Sequence, residues 1–92
     1  MVRFHWDEVK RKKNLVRHGF DFADAADVFD SETITIEDDR FDYGEVRYVS
    51  FGMLRELVVA VVYTEADDNM RIISMRRATK NEENEYYKKI RN

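Results

Sequence analysis

The sequence predicts an α+β fold in which a strand and two helices precede a four-strand meander and a closing helix, in the order β-α-α-β-β-β-β-α. Three observations predict it. The first third of the chain carries helix caps and helical spacing. The stretch from Thr33 to Arg77 alternates, or runs apolar, at strand length, and Thr79-Lys80-Asn81-Glu82 has the form of a capping box. Ninety-two residues with 43% hydrophobic content supply one core rather than two, so 1–92 reads as a single domain.

Phe4, His5 and Trp6 read as a short opening strand. Asp7 then caps a helix running to about His18, and Gly19 supplies the left-handed residue that ends it. Val9, Lys13, Val16 and Phe20 fall at helical spacing with Leu15 beside them, and the block Lys10 to Lys13 takes the remaining faces. Asp21, with Asp24 three residues on, starts a second helix whose apolar side is Phe22, Ala25, Ala26 and Phe29 and which ends near Asp30. Thr33 to Ile36 is β-branched throughout and alternates, which marks a strand. Asp38 to Gly44 is a charged turn, and Glu45 to Phe51 alternates again. Leu57 to Thr64 is nearly all apolar, as a central strand covered on both faces must be. Ala66 to Asn69 turns the chain into a last strand, Arg71 to Arg77, and the capping box opens a helix through Tyr86, Tyr87 and Ile90. The sheet is expected to be a largely antiparallel meander with helices packed on it.

Composition excludes several chemistries. With no Cys there is no disulfide framework, thiolate nucleophile or Cys-based zinc site. No His/Asp/Glu cluster at ligand spacing accompanies His5 or His18, so no metal is expected. No glycine-rich phosphate loop or nucleophile elbow occurs, which disfavours nucleotide-dependent transfer and esterase chemistry, and no cofactor is expected. The N-terminus MVRFHWDEVKRKKN lacks the apolar core of a signal peptide and the longest apolar run, Leu57 to Tyr63, is strand-sized. A cytoplasmic protein without membrane contact is the expectation. The net charge of −3 is unevenly spread: residues 1–19 carry six Lys/Arg against two acids, 20–69 three against fourteen, and 70–92 seven against three. Such segregation suggests one basic surface built from both chain ends and an acidic one from the middle.

The last strand, RIISMRR, holds the most informative side chains. Regular alternation puts Arg71, Ile73, Met75 and Arg77 on one face and Ile72, Ser74 and Arg76 on the other. Arg71 and Arg77 would then stand about 20 Å apart, a spacing for successive phosphates rather than for one. Guanidinium groups suit phosphate because they stay charged and donate as a fork, although surface ion pairs account for such arginines equally well. Glu45 and Arg47 share a face of the neighbouring strand. A carboxylate there can take the proton of a ribose hydroxyl while arginine offsets phosphorane charge; a structural ion pair has the same spacing, and spacing alone favours it. His18, at a helix C-terminus, is a proton-transfer candidate or simply a cap beside Gly19, and His5 beside Trp6 reads as packing. Lys10, Lys13 and Arg76 are candidate RNA contacts. Tyr86 and Tyr87 are candidates for stacking a base or donating a hydroxyl, in a chain where most tyrosines pack.

Three segments together resemble the BrnT family of bacterial type II toxins: Trp6-Asp7-Glu8 with Lys10, Asn14 and His18-Gly19; Arg40 to Gly52 (RFDYGEVRYVSFG); and Val62-Tyr63-Thr64 with RIISMRRATKNEENEYY. They occur in the family's order over nearly the whole chain. The resemblance implies a RelE-like ribonuclease fold, metal-independent RNA cleavage and inhibition of translation. It also implies a BrnA-type antitoxin, commonly in a two-plus-two assembly, whose ribbon-helix-helix region carries the operator-DNA contact. The mechanism expected is in-line attack of a ribose 2′-hydroxyl on the adjacent phosphate, leaving a 2′,3′-cyclic phosphate. Arg71, Arg77 and Arg47 would serve the phosphates, with Glu45 the first and His18 the second candidate for proton transfer. The opposed reading is a toxin-like protein that binds an antitoxin or nucleic acid without catalysis. The two differ in whether the Arg and Glu side chains converge on one cleft.

Overall fold

A computed structural model describes residues 2–91. Strand β1 (Arg3–Trp6) leads into helix α1 (Glu8–His18), a 3₁₀ turn (Phe22–Asp24) and helix α2 (Ala25–Asp30). Strands β2 (Ile34–Asp38), β3 (Arg47–Leu54), β4 (Leu57–Ala66) and β5 (Asn69–Arg77) follow, and helix α3 (Lys80–Ile90) closes the chain. Each cap read from sequence is made: Asp7 accepts from the amides of Val9 and Lys10, Gly19 is left-handed at φ 79°, and Thr79 and Glu82 form a reciprocal capping box. The β3–β4 hairpin turns on Arg55 and Glu56, both at positive φ, and the strands run on to Leu54 and Ala66, beyond their expected ends at Phe51 and Thr64.

The five strands lie in the order β1-β5-β4-β3-β2. Strands β2 to β5 form the expected antiparallel meander, but β1 joins the far edge parallel to β5, so the sheet is mixed. One face is covered by the 3₁₀ turn and α2, through Phe20, Phe22, Ala25 and Val28 against Val59, Val61, Met70, Ile72 and Met75. Gly52 permits the close approach of α2: a Cβ there would lie 2.9 Å from the Val28 carbonyl. On the other face, α3 lays Tyr86, Tyr87 and Ile90 over Val49, Phe51, Val58 and Ala60. That helix covers only part of its face. Among the described residues no helix is long and apolar enough to cross a membrane.

Two further features depart from the sequence reading. The pairing of β4 with β5 slips at Val62/Tyr63: Val62 faces Ser74 while Tyr63 faces Ile72, so Ile73 is an extra residue in β5. The bulge reverses the alternation beyond it. Met75 therefore joins Met70 and Ile72 in the core, and Arg77 follows Met75 onto the α2 side, whereas Arg71, Ser74 and Arg76 share the opposite face. The expected pairing of Arg71 with Arg77 on one face is corrected accordingly. The second departure is α1, whose Val9–Val16 stripe points outward, Val16 being 90% exposed. The helix is held instead by polar groups. Arg11 donates to Glu8 and to Asp21 (2.8 and 3.1 Å), and Asn14 is buried against β5.

Asn14 completes the sheet edge that β1 leaves open. β1 ends opposite Ile72, and past that point the Asn14 carboxamide does what a strand would do: Oδ1 accepts from the Met75 amide (3.2 Å) and Nδ2 donates to the Met75 carbonyl (2.9 Å). The same Nδ2 also reaches the Phe20 carbonyl at 3.1 Å. Replacing it strands buried backbone groups, each at a cost of about 1–3 kcal/mol. Asn14→Ala is expected to lower the unfolding free energy by about 2–4 kcal/mol in urea titrations; a loss under about 0.5 kcal/mol would mean that water replaces the carboxamide without penalty.

Candidate active site

The part of the sheet face that α3 leaves uncovered carries a cross-strand row of polar side chains. Register places Asp38 of β2 beside Arg47 of β3, and Arg71 of β5 between Thr64 of β4 and His5 of β1. Paired residues point to the same side of a sheet, so this row lies on one face. Glu45, two residues before β3 begins its regular run, folds over the row. The Arg71 Nη2 donates to both Glu45 oxygens at 2.7 and 2.8 Å, and Arg47 Nε reaches the same carboxylate at 3.4 Å. The Arg47 guanidinium stacks 3.9 Å from the centre of the Tyr43 ring. The Tyr43 hydroxyl donates to buried Asp38 (3.3 Å), which also takes the Arg40 fork at 2.8 and 3.1 Å. Two arginines thus share one carboxylate, and a third is tethered to them through a tyrosine.

Hydrogen bonds from Arg71, then the nearby charges of Arg71 and Arg47, hold Glu45 below the ordinary carboxylate range. It is ionised near neutrality, with its oxygens committed to guanidinium donors. Toward α3, Arg76 donates to Glu82 at 2.7 and 3.0 Å, and Glu82 also accepts from the Thr79 amide at 2.9 Å. Arg76 chiefly, with the Thr79 amide, holds Glu82 down to about 2. Between the Asp38–Arg40 and Arg76–Glu82 pairs lies a concavity of about 290 Å³ lined by Val49, Val62 and Ser74, with Arg40 and Arg76 beside the acids Glu37, Asp38, Asp39 and Glu82. The similar-sized groove between α3 and β2 is lined by Ile34, Ile36 and Phe51, with Glu82, Glu85 and Lys89 as its charged residues.

The sequence candidates scatter over this frame. Glu45, Arg47 and Arg71 converge; Arg76 stands on the same face but pairs with Glu82; Arg77 is exposed on the opposite face. Lys10, Lys13 and His18 line a separate groove where α1 meets Ile73 and Ser74. Tyr86 is buried, its hydroxyl donating to the Glu32 carbonyl at 2.6 Å, and half-buried Tyr87 packs edge-on to it, so neither offers a free ring face over the row. Among the described residues no three His, Asp or Glu side chains gather as metal ligands. Sequence reasoning missed Tyr43, Asp38 and Arg40 as supports of Arg47. It also treated His5 as packing, although a strand that pairs parallel with RIISMRR puts His5 beside Arg71.

Residues 6–82 match the family described as ribonuclease toxin, BrnT, of type II toxin-antitoxin system. The chain belongs to the BrnT family. The matched span includes the whole Arg–Glu cluster and α1, and leaves Tyr86 and Tyr87 outside it. A comparison with curated proteins returns no match. Membership of a type II toxin family brings with it an antitoxin as partner. Guanidinium groups donate to phosphate oxygens in the same fork geometry in which Arg71 meets the Glu45 carboxylate here.

The Glu82 latch has a pH signature. Its carboxylate stays charged to about 2 in the folded chain, against an ordinary value of 4.5, so its contribution is complete above 4.5 and lost as pH falls toward 2. Glu82→Gln keeps the capping geometry and removes the charge. The variant is expected to melt below the parent at about pH 6, with the gap narrowing steadily below about pH 4.5 as the pH approaches 2; thermal unfolding followed by circular dichroism across that range checks it, and a pH-independent gap would count against the Arg76 pair.

Proposed function

We propose that this BrnT-family chain is an endoribonuclease that cuts RNA on the open sheet face, with guanidinium groups in place of a metal ion. The observation that carries the proposal is the convergence of Arg71 and Arg47 on a single carboxylate. It favours catalysis over a purely binding role, because divergent side chains would not define one anion position. An RNA phosphate that takes the Arg71 donors releases Glu45. The main cause of the low Glu45 pKa is then withdrawn, and the carboxylate becomes more basic at the moment substrate lies beside it. Glu45 accepts the 2′-hydroxyl proton as the 2′-oxygen attacks phosphorus, and the bond to the 5′-oxygen breaks. The products are a 2′,3′-cyclic phosphate and a 5′-hydroxyl, the latter taking a proton from solvent. Arg47 and Arg71 offset the charge that grows on the phosphorane, the work a divalent ion does elsewhere.

His18, set in the α1 groove, is the side-chain alternative for proton delivery. A RelE-like arrangement, inhibition of translation through RNA loss, action in the cytoplasm and neutralisation by a BrnA-type antitoxin in a two-plus-two assembly complete the reading; the family match and the α+β sheet support it. Arg76 contributes a phosphate contact at the α3 end.

Purified protein in excess EDTA is expected to cut single-stranded RNA to cyclic-phosphate ends and to leave a 2′-deoxy substrate intact. Arg71→Ala should slow cleavage by roughly 10²–10³-fold, the usual cost of one transition-state donor. Arg77→Ala, on the other sheet face, should cost less than about tenfold. Cleavage that needs added divalent ion, or equal losses in the two variants, would sink the mechanism. Expression without an antitoxin is expected to arrest bacterial growth, and Arg71→Ala at equal soluble yield to relieve the arrest.

A further inference from the structure

The arginines of the open face are all ion-paired: Arg40 with Asp38, Arg47 and Arg71 sharing Glu45, Arg76 with Glu82. A larger block of positive charge without ion-pair partners lies next to them on α1. Lys10, Lys13 and Arg17 make no ion pair among the described residues, and the acids nearest them in sequence, Glu8 and Asp21, are both engaged by Arg11, Glu8 also by the Trp6 indole. Their spacing of three and four residues puts them on one helical face, spread over roughly 10 Å of helix axis. With His18 they line a groove of about 210 Å³ against Ile73 and Ser74. The Ile73 bulge and the Asn14 contact to Met75 set that wall, and Asn14 itself lies at the groove floor. Ser74 also lines the sheet concavity beside Arg76. The two depressions therefore adjoin at Ser74.

We propose that the α1–β5 groove is a phosphate-backbone subsite for single-stranded RNA, holding the nucleotides on one side of the scissile phosphate while the Glu45–Arg47–Arg71 cluster holds the phosphate itself. The inference rests on the ribonuclease reading and adds where the rest of the strand runs. Electrostatics divides the labour. On the sheet, RNA must displace carboxylates from arginine before it gains charge interaction there. In the groove it meets cations with no competitor, so most of the salt-dependent affinity belongs to α1.

The test uses the whole chain and a 2′-O-methyl oligonucleotide of about ten residues, which binds but lacks the attacking hydroxyl. Dissociation constants are measured between about 50 and 200 mM salt. Lys10→Ala/Lys13→Ala is expected to weaken binding roughly tenfold at the lower salt and to flatten the log–log slope by about 1.4, near 0.7 for each phosphate no longer neutralised. Lys12→Ala removes the same type of charge from the same helix outside the groove and should change affinity less than about twofold. All three lysines are exposed, so matching thermal midpoints confirm folding. Unchanged slope in the double variant, or an equal loss from Lys12→Ala, would overturn the subsite. So would a glutamate-rich peptide of equal charge that binds α1 more tightly than the oligonucleotide, which would assign the groove to an acidic protein partner. The two proposals fail separately. A chain that cuts RNA while ignoring Lys10 and Lys13 loses the subsite and keeps the ribonuclease; one that binds with the expected slope but never cuts loses the ribonuclease and keeps the subsite.

Discussion

Past Ile72 the outer edge of β5 has no strand beside it, and one carboxamide takes the strand's place. Asn14 meets both the amide and the carbonyl of Met75 and ties Phe20 to the same point, so it joins α1, the loop after it and the sheet edge at once. The bulge at Ile73 lies at the same stretch. A bulge bends its strand and disrupts the local ladder, and here the disruption is absorbed by a side chain instead of being left to solvent. The consequences reach both faces of the molecule. Met75 enters the core, Ser74 and Arg76 turn to the open face, and α1 is drawn along the edge with its cations beside them.

The remaining architecture decides what that face can do. Helix α3 is anchored by its capping box and by Tyr86 and covers one end of the sheet; Glu82, part of the box, also fixes Arg76. The other end is open and holds Arg47 and Arg71 against Glu45. None of these pairs is deeply buried, so as contributors to stability they are modest. Their importance lies in placement. Guanidinium groups held by an exposed carboxylate are oriented before substrate arrives, yet the carboxylate can be exchanged for phosphate without leaving a buried charge behind.

An acidic chain can bind a polyanion if its charges are separated in space. The fourteen acids of residues 20–69 include Asp38 and Glu45, which are spent on arginines, while the α1 lysines keep their field. Net charge is therefore a poor guide to this surface, and local pairing a better one. The same logic explains why the family match and the overall acidity do not conflict.

Local chemistry alone determined much of this protein. The caps at Asp7, Gly19 and Thr79, the β-branched alternation of Thr33 to Ile36 and the apolar run from Leu57 each act through neighbours within a few residues, and each yields the element expected of it. The Glu45–Arg47 pair was legible for the same reason. What joins Arg71 to that pair, and parts it from Arg77, was not. The first needs β5 to lie one strand away from β3 with β4 between, and the second needs an extra residue at Ile73, where two successive isoleucines look like any regular strand. The outward turn of Val9 and Val16 was hidden as well, because helical spacing fixes which residues share a face but not which face meets the sheet. That choice fell to Asn14. A buried carboxamide with three backbone partners outweighs a weak stripe of valines, and only the folded chain brings those partners, sixty-one residues apart in sequence at Met75, within reach of it.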